Sequence, residues 1–191
     1  FAADGDTIYV GAVELKGTAE NPAYALTTED CAVKTDGADE SNYNVKWDGS
    51  TLTLNDANVT KGASKVNNLG SWAAIYCKTD FKIELTGSST VIGPDLENGS
   101  GDESFGIYSK GDVTIVGSGT LNVNGGNIIQ TQGYGTVLSH GLYSRDGNIT
   151  INSGTVNATG GGISIDIENG VYNASSSGIY FAGVTINGGI V

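Results

Sequence analysis

Four tyrosines hold the same place in a recurring tripeptide: Ala74-Ile75-Tyr76, Gly106-Ile107-Tyr108, Gly141-Leu142-Tyr143 and Gly178-Ile179-Tyr180. Two residues beyond the first three stand Lys78, Lys110 and Arg145. Successive side chains of a β-strand point to opposite faces, so these tyrosines turn outward wherever their Ile or Leu neighbours turn into a core. Stacked strands would then carry an aromatic row beside a cationic row. Sugars lie on aromatic rings through their C–H faces, and cations attract uronic carboxylates or ring faces. The same pattern has a purely structural explanation. Stacked side chains stabilise neighbouring strands, and the cations can pair with the adjacent Asp80, Asp112 and Asp146.

Asp95, Glu97, Asp102 and Glu103, with Asn98, crowd one loop. Oxygen-rich loops can hold Ca2+, which takes about six to eight oxygens. The segment lacks the spacing of an EF-hand loop, and a solvated acidic loop is the other reading. His140, the single histidine, aligns with Phe105 and Ala73 and is expected to stack beside Phe105 where a strand begins. No Gly-x-Ser-x-Gly elbow accompanies it. Asn58, Asn98, Asn148, Asn157 and Asn173 each open an Asn-x-Ser/Thr triplet, the acceptor pattern for N-glycosylation. Such triplets arise by chance in a chain rich in these residues. Asn122, Asn157 and Asn173 read instead as a structural row. Cys31 and Cys77 are the two cysteines, either a disulfide of an exported protein or two buried thiols.

The elements that must position these residues are strands and turns. The chain has 191 residues, enough for one domain with a sizeable core. Thirty glycines interleave with β-branched residues and only two prolines occur, a composition of strands and corners rather than of a disordered linker. A formal charge of −12 repels nucleic acid and anionic membrane. No stretch approaches the ~18 apolar residues of a membrane helix. The opening Phe1-Ala2-Ala3-Asp4-Gly5-Asp6 reads as the remnant of a small-residue cleavage site, so export to the medium or the cell surface is expected.

Behind each tripeptide comes a strand: Phe81-Lys82-Ile83, Val113-Thr114-Ile115, Ile149-Thr150-Ile151 and Val184-Thr185-Ile186. Repeats of this kind, each too small to bury its own apolar face, predict a solenoid. Residues 1–46 do not fit the repeat and read as a β cap; residues 47–191 read as coils. Each coil is expected to hold three short strands with glycine at the corners. One inward row would hold Ile75, Ile107, Leu142, Ile163 and Ile179. A second would hold Phe81/Ile83, Val113/Ile115, Ile149/Ile151, Ile165/Ile167 and Val184/Ile186. The gapless match of 149–158 with 165–174 supports that assignment. Extra residues at 61–72, 93–104 and 125–139 fall at one corner, as a binding edge or as tolerated loop drift. The coils near Gly162 and Gly178 are read as lacking them. The final strand leaves an open edge, to be covered by further chain or by self-association with a second copy.

Three segments resemble a group of exported bacterial surface proteins, the carbohydrate-binding domain proteins with a pectate-lyase-like right-handed parallel β-helix. They are Asp4 to Gly11, Tyr43 to Ala57, and Gly106-Ile107-Tyr108-Ser109-Lys110-Gly111-Asp112-Val113-Thr114-Ile115. The resemblance implies a single-stranded parallel β-helix that binds plant-type or acidic polysaccharide, in some members with Ca2+, without catalysis. Lyases of this fold use Ca2+-binding carboxylates and an arginine base; Arg145 is the only arginine, beside Asp146. Inverting hydrolases place two carboxylates ~6.5–9.5 Å apart, and polygalacturonase-like ones carry Gly-His-Gly, which Ser139-His140-Gly141 matches only in part. The expected role is therefore a non-catalytic polysaccharide-binding or adhesion module. Its recognition face would be Tyr76, Tyr108, Tyr143 and Tyr180 with Lys78, Lys110 and Arg145. A polysaccharide lyase or hydrolase and a structural spacer of a larger surface protein are the alternatives.

Overall fold

The computed structural model describes residues 7–67, 70–97, 102–130, 135–165 and 172–191. Five strands come first: β1 (Thr7–Val10), β2 (Val13–Lys16), β3 (Ala23–Thr27), β4 (Val33–Lys34) and β5 (Val45–Trp47). The first coil holds β6 (Thr51–Asn55), β7 (Asn58–Val59), β8 (Ser64–Lys65) and β9 (Ser71–Cys77). The second holds β10 (Phe81–Thr86), β11 (Ser88–Ile92), β12 (Leu96–Glu97) and β13 (Glu103–Ser109). The third holds β14 (Val113–Gly117), β15 (Thr120–Asn124), β16 (Ile128–Gln130) and β17 (Gly135–Ser144). The chain goes on through β18 (Asn148–Ile151), β19 (Thr155–Thr159), β20 (Ile163–Ile165), β21 (Tyr172–Tyr180) and β22 (Gly183–Ile186). The described residues form no helix.

Corresponding strands of successive coils pair in parallel, which makes the chain a parallel β-solenoid. One face runs β9-β13-β17-β21, a second β6-β10-β14-β18-β22, and a third β7-β11-β15-β19. The registers stack like on like: Ile75, Ile107, Leu142 and Ile179 in one row; Phe81, Val113, Ile149 and Val184 in another. Strand alternation sends all of these but Val184 to one interior cluster, where most are fully buried. Val184 and Ile186 of β22, expected inward, are 41% and 52% exposed, because no described strand stacks on β22 beyond β18. Burying a side chain of this size contributes about 1.5–3 kcal/mol, and each coil adds several to the column.

The coil has four faces rather than three. The extra residues at one corner fold into a sheet of their own, β12-β16-β20. Ile163 therefore stacks on Ile128, not in the row of Ile107 and Leu142, and Ile165 pairs with Gln130. The coil near Gly162 carries this fourth face instead of lacking it. Ile167 lies outside the described residues. The likeness of 149–158 to 165–174 is not a coil step: Ile149 pairs with Val113 and Val184, and Asn173 pairs with Thr136. Asn173 thus leaves the proposed asparagine row, while Asn157 keeps it, donating from Nδ2 to Asn122 Oδ1 at 2.9 Å.

The strands before Thr51 run antiparallel. β1 pairs with β2 and with β9, placing Tyr9 opposite Tyr76, while β5 pairs with β6 and β3 with β5. They occupy the edge that the first coil would otherwise present for pairing.

Corner carboxylates and amides tie one coil to the next. The Asp112 N–H donates to Asp80 Oδ1 at 2.8 Å, and the Asn148 N–H donates to Asp112 Oδ1 at 2.6 Å. At another corner the Asn127 N–H donates to Asp95 Oδ1 at 2.7 Å and the Gly162 N–H to Asn127 Oδ1 at 3.0 Å. These bonds span 32, 36, 32 and 35 residues, the length of a coil. Asp112→Ala is expected to cost ~1–2 kcal/mol by stripping a backbone donor of its acceptor. Asp112→Asn should retain most of that, since Asn127 already does the same work with an amide. The urea midpoints of the two variants against the unaltered protein check this; equal midpoints for all three would remove the corner bond from the stabilising interactions.

Candidate functional site

The tripeptide repeat positions two outward rows, not one. Strict alternation would put Phe105 and Ile107 on the same side, yet Ile107 lies in the interior cluster while Phe105 and Tyr108 pack together outside it. The bend between them is at Gly106. A Cβ there would sit 2.7 Å from Asn124 O and Gly141 O, so only glycine lets the strand turn that corner against its neighbours. The registers pair Phe105 with His140 and Tyr108 with Tyr143, passing over the glycines between. His140 stacks on Phe105 as its alignment implied, with centroids 6.0 Å apart.

The tyrosine row extends beyond the repeat to Tyr9 on β1. Its ring stacks on Tyr76 at 5.9 Å and 17°. Tyr76 meets Tyr108 edge-on at 5.6 Å and 73°. Tyr108 then stacks on Tyr143 at 5.2 Å and 24°, and Tyr143 on Tyr180 at 5.3 Å and 10°. Phe105 supports the row from beside, 4.8 Å from the Tyr143 ring. The separations lie close to the ~4.8 Å between strands, so the nearly parallel rings face one another along the solenoid. Tyr143 and Tyr180 therefore turn mainly edges, not faces, away from the sheet.

Burial divides the row. The tyrosines stand outside the interior cluster, as the alternation requires, but Tyr76 and Tyr108 are only 3% and 4% exposed. Val66 and Leu138, from the first and third corner insertions, pack on the same outer cluster. Neither Tyr76 nor Tyr108 offers a ligand a ring face, which removes both from the recognition surface drawn from the sequence. Tyr143 is half-buried and Tyr180 is 48% exposed. Burial raises the pKa of Tyr76, Tyr108 and Tyr143 above the ordinary 10.0. These phenols therefore remain neutral hydrogen-bonding groups at physiological pH.

The three cations separate. Arg145 is exposed, and its interaction with the Tyr108 phenol is the main cause of its raised pKa. Its ion pair with Asp146, at 3.9 Å between exposed groups, adds little. Lys78 and Lys110 form no ion pair among the described residues, and the Oδ1 atoms of Asp80 and Asp112 accept the coil-to-coil amides instead. Lys78 borders a cleft at the other end of the row with Thr7, Tyr9, Glu14, Lys16 and Thr79. There the Tyr9 hydroxyl donates to Glu14 Oε1 at 3.1 Å, and Lys16 pairs with Glu14 at 3.2 Å.

The acidic loop does not converge on one point. Asp95 accepts from the Asn127 N–H. Asp102 is buried and accepts from Gln130 Nε2 at 2.5 Å. Glu103 accepts from the Ser71 hydroxyl, and Glu97 is exposed on β12. Asn98 lies outside the described residues. Among the described residues no three His, Cys, Asp or Glu side chains gather as a metal-binding group. Cys31 and Cys77 are not joined in a disulfide: Cys77 is buried in the row of Ser109 and Ser144, its Sγ 3.6 Å from Thr79 Oγ1, while Cys31 is only partly buried, in a turn at φ 66°.

Sequence reasoning missed the part played by Phe105 in the outer row and the continuation to Tyr9. Phe105 could have been found from the spacing Phe-Gly-Ile-Tyr, whose glycine marks a corner; nothing in Thr7-Ile8-Tyr9-Val10 announces its partner. No known protein family, curated protein or solved structure matches this chain.

Proposed function

We propose that the chain is a non-catalytic polysaccharide-binding module of an exported or surface-borne protein, and that Tyr143, Tyr180 and Arg145 make the contact. The observation that carries this reading is the stacked pair itself: the Tyr143 and Tyr180 rings lie parallel, 5.3 Å and 10° apart, outside the interior cluster. A rigid solenoid fixes those rings in advance, so little ordering is needed on binding. The Arg145 guanidinium, a fork of donors, lies near Tyr143 and is exposed for sugar hydroxyls. The charge of −12 opposes a polyuronate over any long contact, and a neutral plant-type polysaccharide is the better fit.

Affinity gel electrophoresis against neutral polysaccharides and polygalacturonate, with Ca2+ or with chelator, tests the proposal. Retardation by a neutral polymer, insensitive to chelator, is the expected result. Tyr180→Ala and Arg145→Ala should each weaken it by about tenfold, equivalent to ~1.4 kcal/mol. Retardation equal to that of the unaltered protein in both variants, or no retardation in any gel, overturns the assignment. The burial of Tyr76 and Tyr108 favours a second role for the rest of the row, holding the coils together.

A further inference from the structure

His140 is the most constrained polar group on the outer face. It is fully buried. Its Nδ1 lies 2.7 Å from Ser177 Oγ, and its Nε2 is buried with no hydrogen-bond partner among the described residues. The imidazole stacks on Tyr143 at 5.6 Å and 13° and on Tyr180 at 4.9 Å and 23°. It therefore bridges three strands: β13 through Phe105, its own β17, and β21 through Ser177 and Tyr180.

A neutral imidazole carries one donor and one acceptor nitrogen, and the Ser177 hydroxyl satisfies Nδ1 in either tautomer. Protonation puts a hydrogen on both nitrogens and a charge on the ring. The charged ring is then buried with an Nε2–H that no described residue accepts. Among the described residues no acceptor on the neighbouring elements reaches Nε2. From β13 come Glu103, which already accepts from Ser71, and Tyr108, whose phenol is kept neutral by burial. From β17 and the turn after it come Tyr143 and the cationic Arg145; from β21 comes the phenol of Tyr180. Strands β15 and β19, which also pack against β17, contain no titratable side chain.

We propose that His140 is an acid-sensitive latch between β17 and β21, whose protonation loosens β21 and takes apart the Tyr143–Tyr180 face. The latch rests on the binding reading only for its consequence, the release of polysaccharide in acid. Burial holds the His140 pKa below its ordinary 6.5. The unfolded or detached state therefore binds the extra proton first. The stabilisation is complete above 6.5 and is lost as pH falls through the lower folded value.

Hydrogen exchange of the unliganded protein tests this without any glycan. Between about pH 7.5 and about pH 5, amides of 172–180 should lose protection by about tenfold, after correction for the intrinsic rate. Those of β9 should stay unchanged. His140→Phe, which repeats the Phe105 ring one coil on, should abolish the pH dependence. Unchanged protection in 172–180, or an equal loss in His140→Phe, overturns the latch. Should His140→Phe fail to fold, the NMR titration of the lone histidine decides: a midpoint at or above 6.5 overturns the proposal, and one below it supports it. Glycan affinity measured at both pH values reports separately on the binding reading.

Discussion

Gly141→Ala is expected to destabilise the solenoid by ~3 kcal/mol or more. A Cβ at that position would stand 2.5 Å from Val123 O and 2.8 Å from both Gly178 O and Thr159 O. All three are backbone oxygens, in β15, β21 and β19, so no flexible side chain can swing away. Relief would require moving strands on two faces at once, against stacked rows that fix their register. Overpacking a well-filled core costs ~1–3 kcal/mol even where side chains absorb it, and this contact belongs at or above the top of that range. Far-UV circular dichroism and urea unfolding give the measurement. A midpoint indistinguishable from that of the unaltered protein would show that the strands yield more easily than their geometry implies. The converse change supplies the contrast. Ala74 holds the corresponding place where β9 meets the antiparallel β1, and it is fully buried. There a Cβ fits, and Ala74→Gly should cost only ~0.5–1 kcal/mol.

The tripeptide was legible because three constraints coincide in it: glycine for close approach, an aliphatic side chain for the core, an aromatic for the outside. Repetition made the parallel stacking legible too, since Ile107 and Leu142 can share a row only if coils superimpose. The fourth face was not. Its strands are two or three residues long, too short for alternation to show, and Gly162-Ile163-Ser164-Ile165 imitates the start of the tripeptide while following the chain into a different sheet. Nor did the sequence disclose the burial of Tyr76 and Tyr108. Period two fixes the side to which a residue points, not what comes to lie over it. Val66 and Leu138 arrive from insertions whose paths depend on tertiary contacts. The corner aspartates show the same limit. Beside Lys78 and Lys110 in sequence they read as ion-pair partners, but an amide one coil away is nearer and, being a backbone donor, must find an acceptor.

Trp47→Ala is expected to have the largest effect among single changes in the core, because this residue joins the antiparallel strands to the first coil. Trp47 is fully buried at the end of β5, opposite Ala23 on one side and Leu52 on the other. Its ring meets Phe81 of the second coil edge-on, at 6.5 Å and 68°. Truncation removes the contacts with both coils and leaves a cavity that the sheet cannot close by shifting, since β6 is held by β5 and β10 alike. The expected cost is ~3–5 kcal/mol, a large part of the ~5–15 kcal/mol available to a domain of ordinary stability. Trp72 on β9 becomes the sole tryptophan of the variant, and its fluorescence follows the coils directly. If the antiparallel strands and the coils unfold as one unit, the Trp72 transition in urea moves to lower concentration as a single step. If instead it stays where it was while circular dichroism reveals an earlier transition, the first strands fold apart from the solenoid. The contact of Trp47 with Phe81 would then add nothing to the coils.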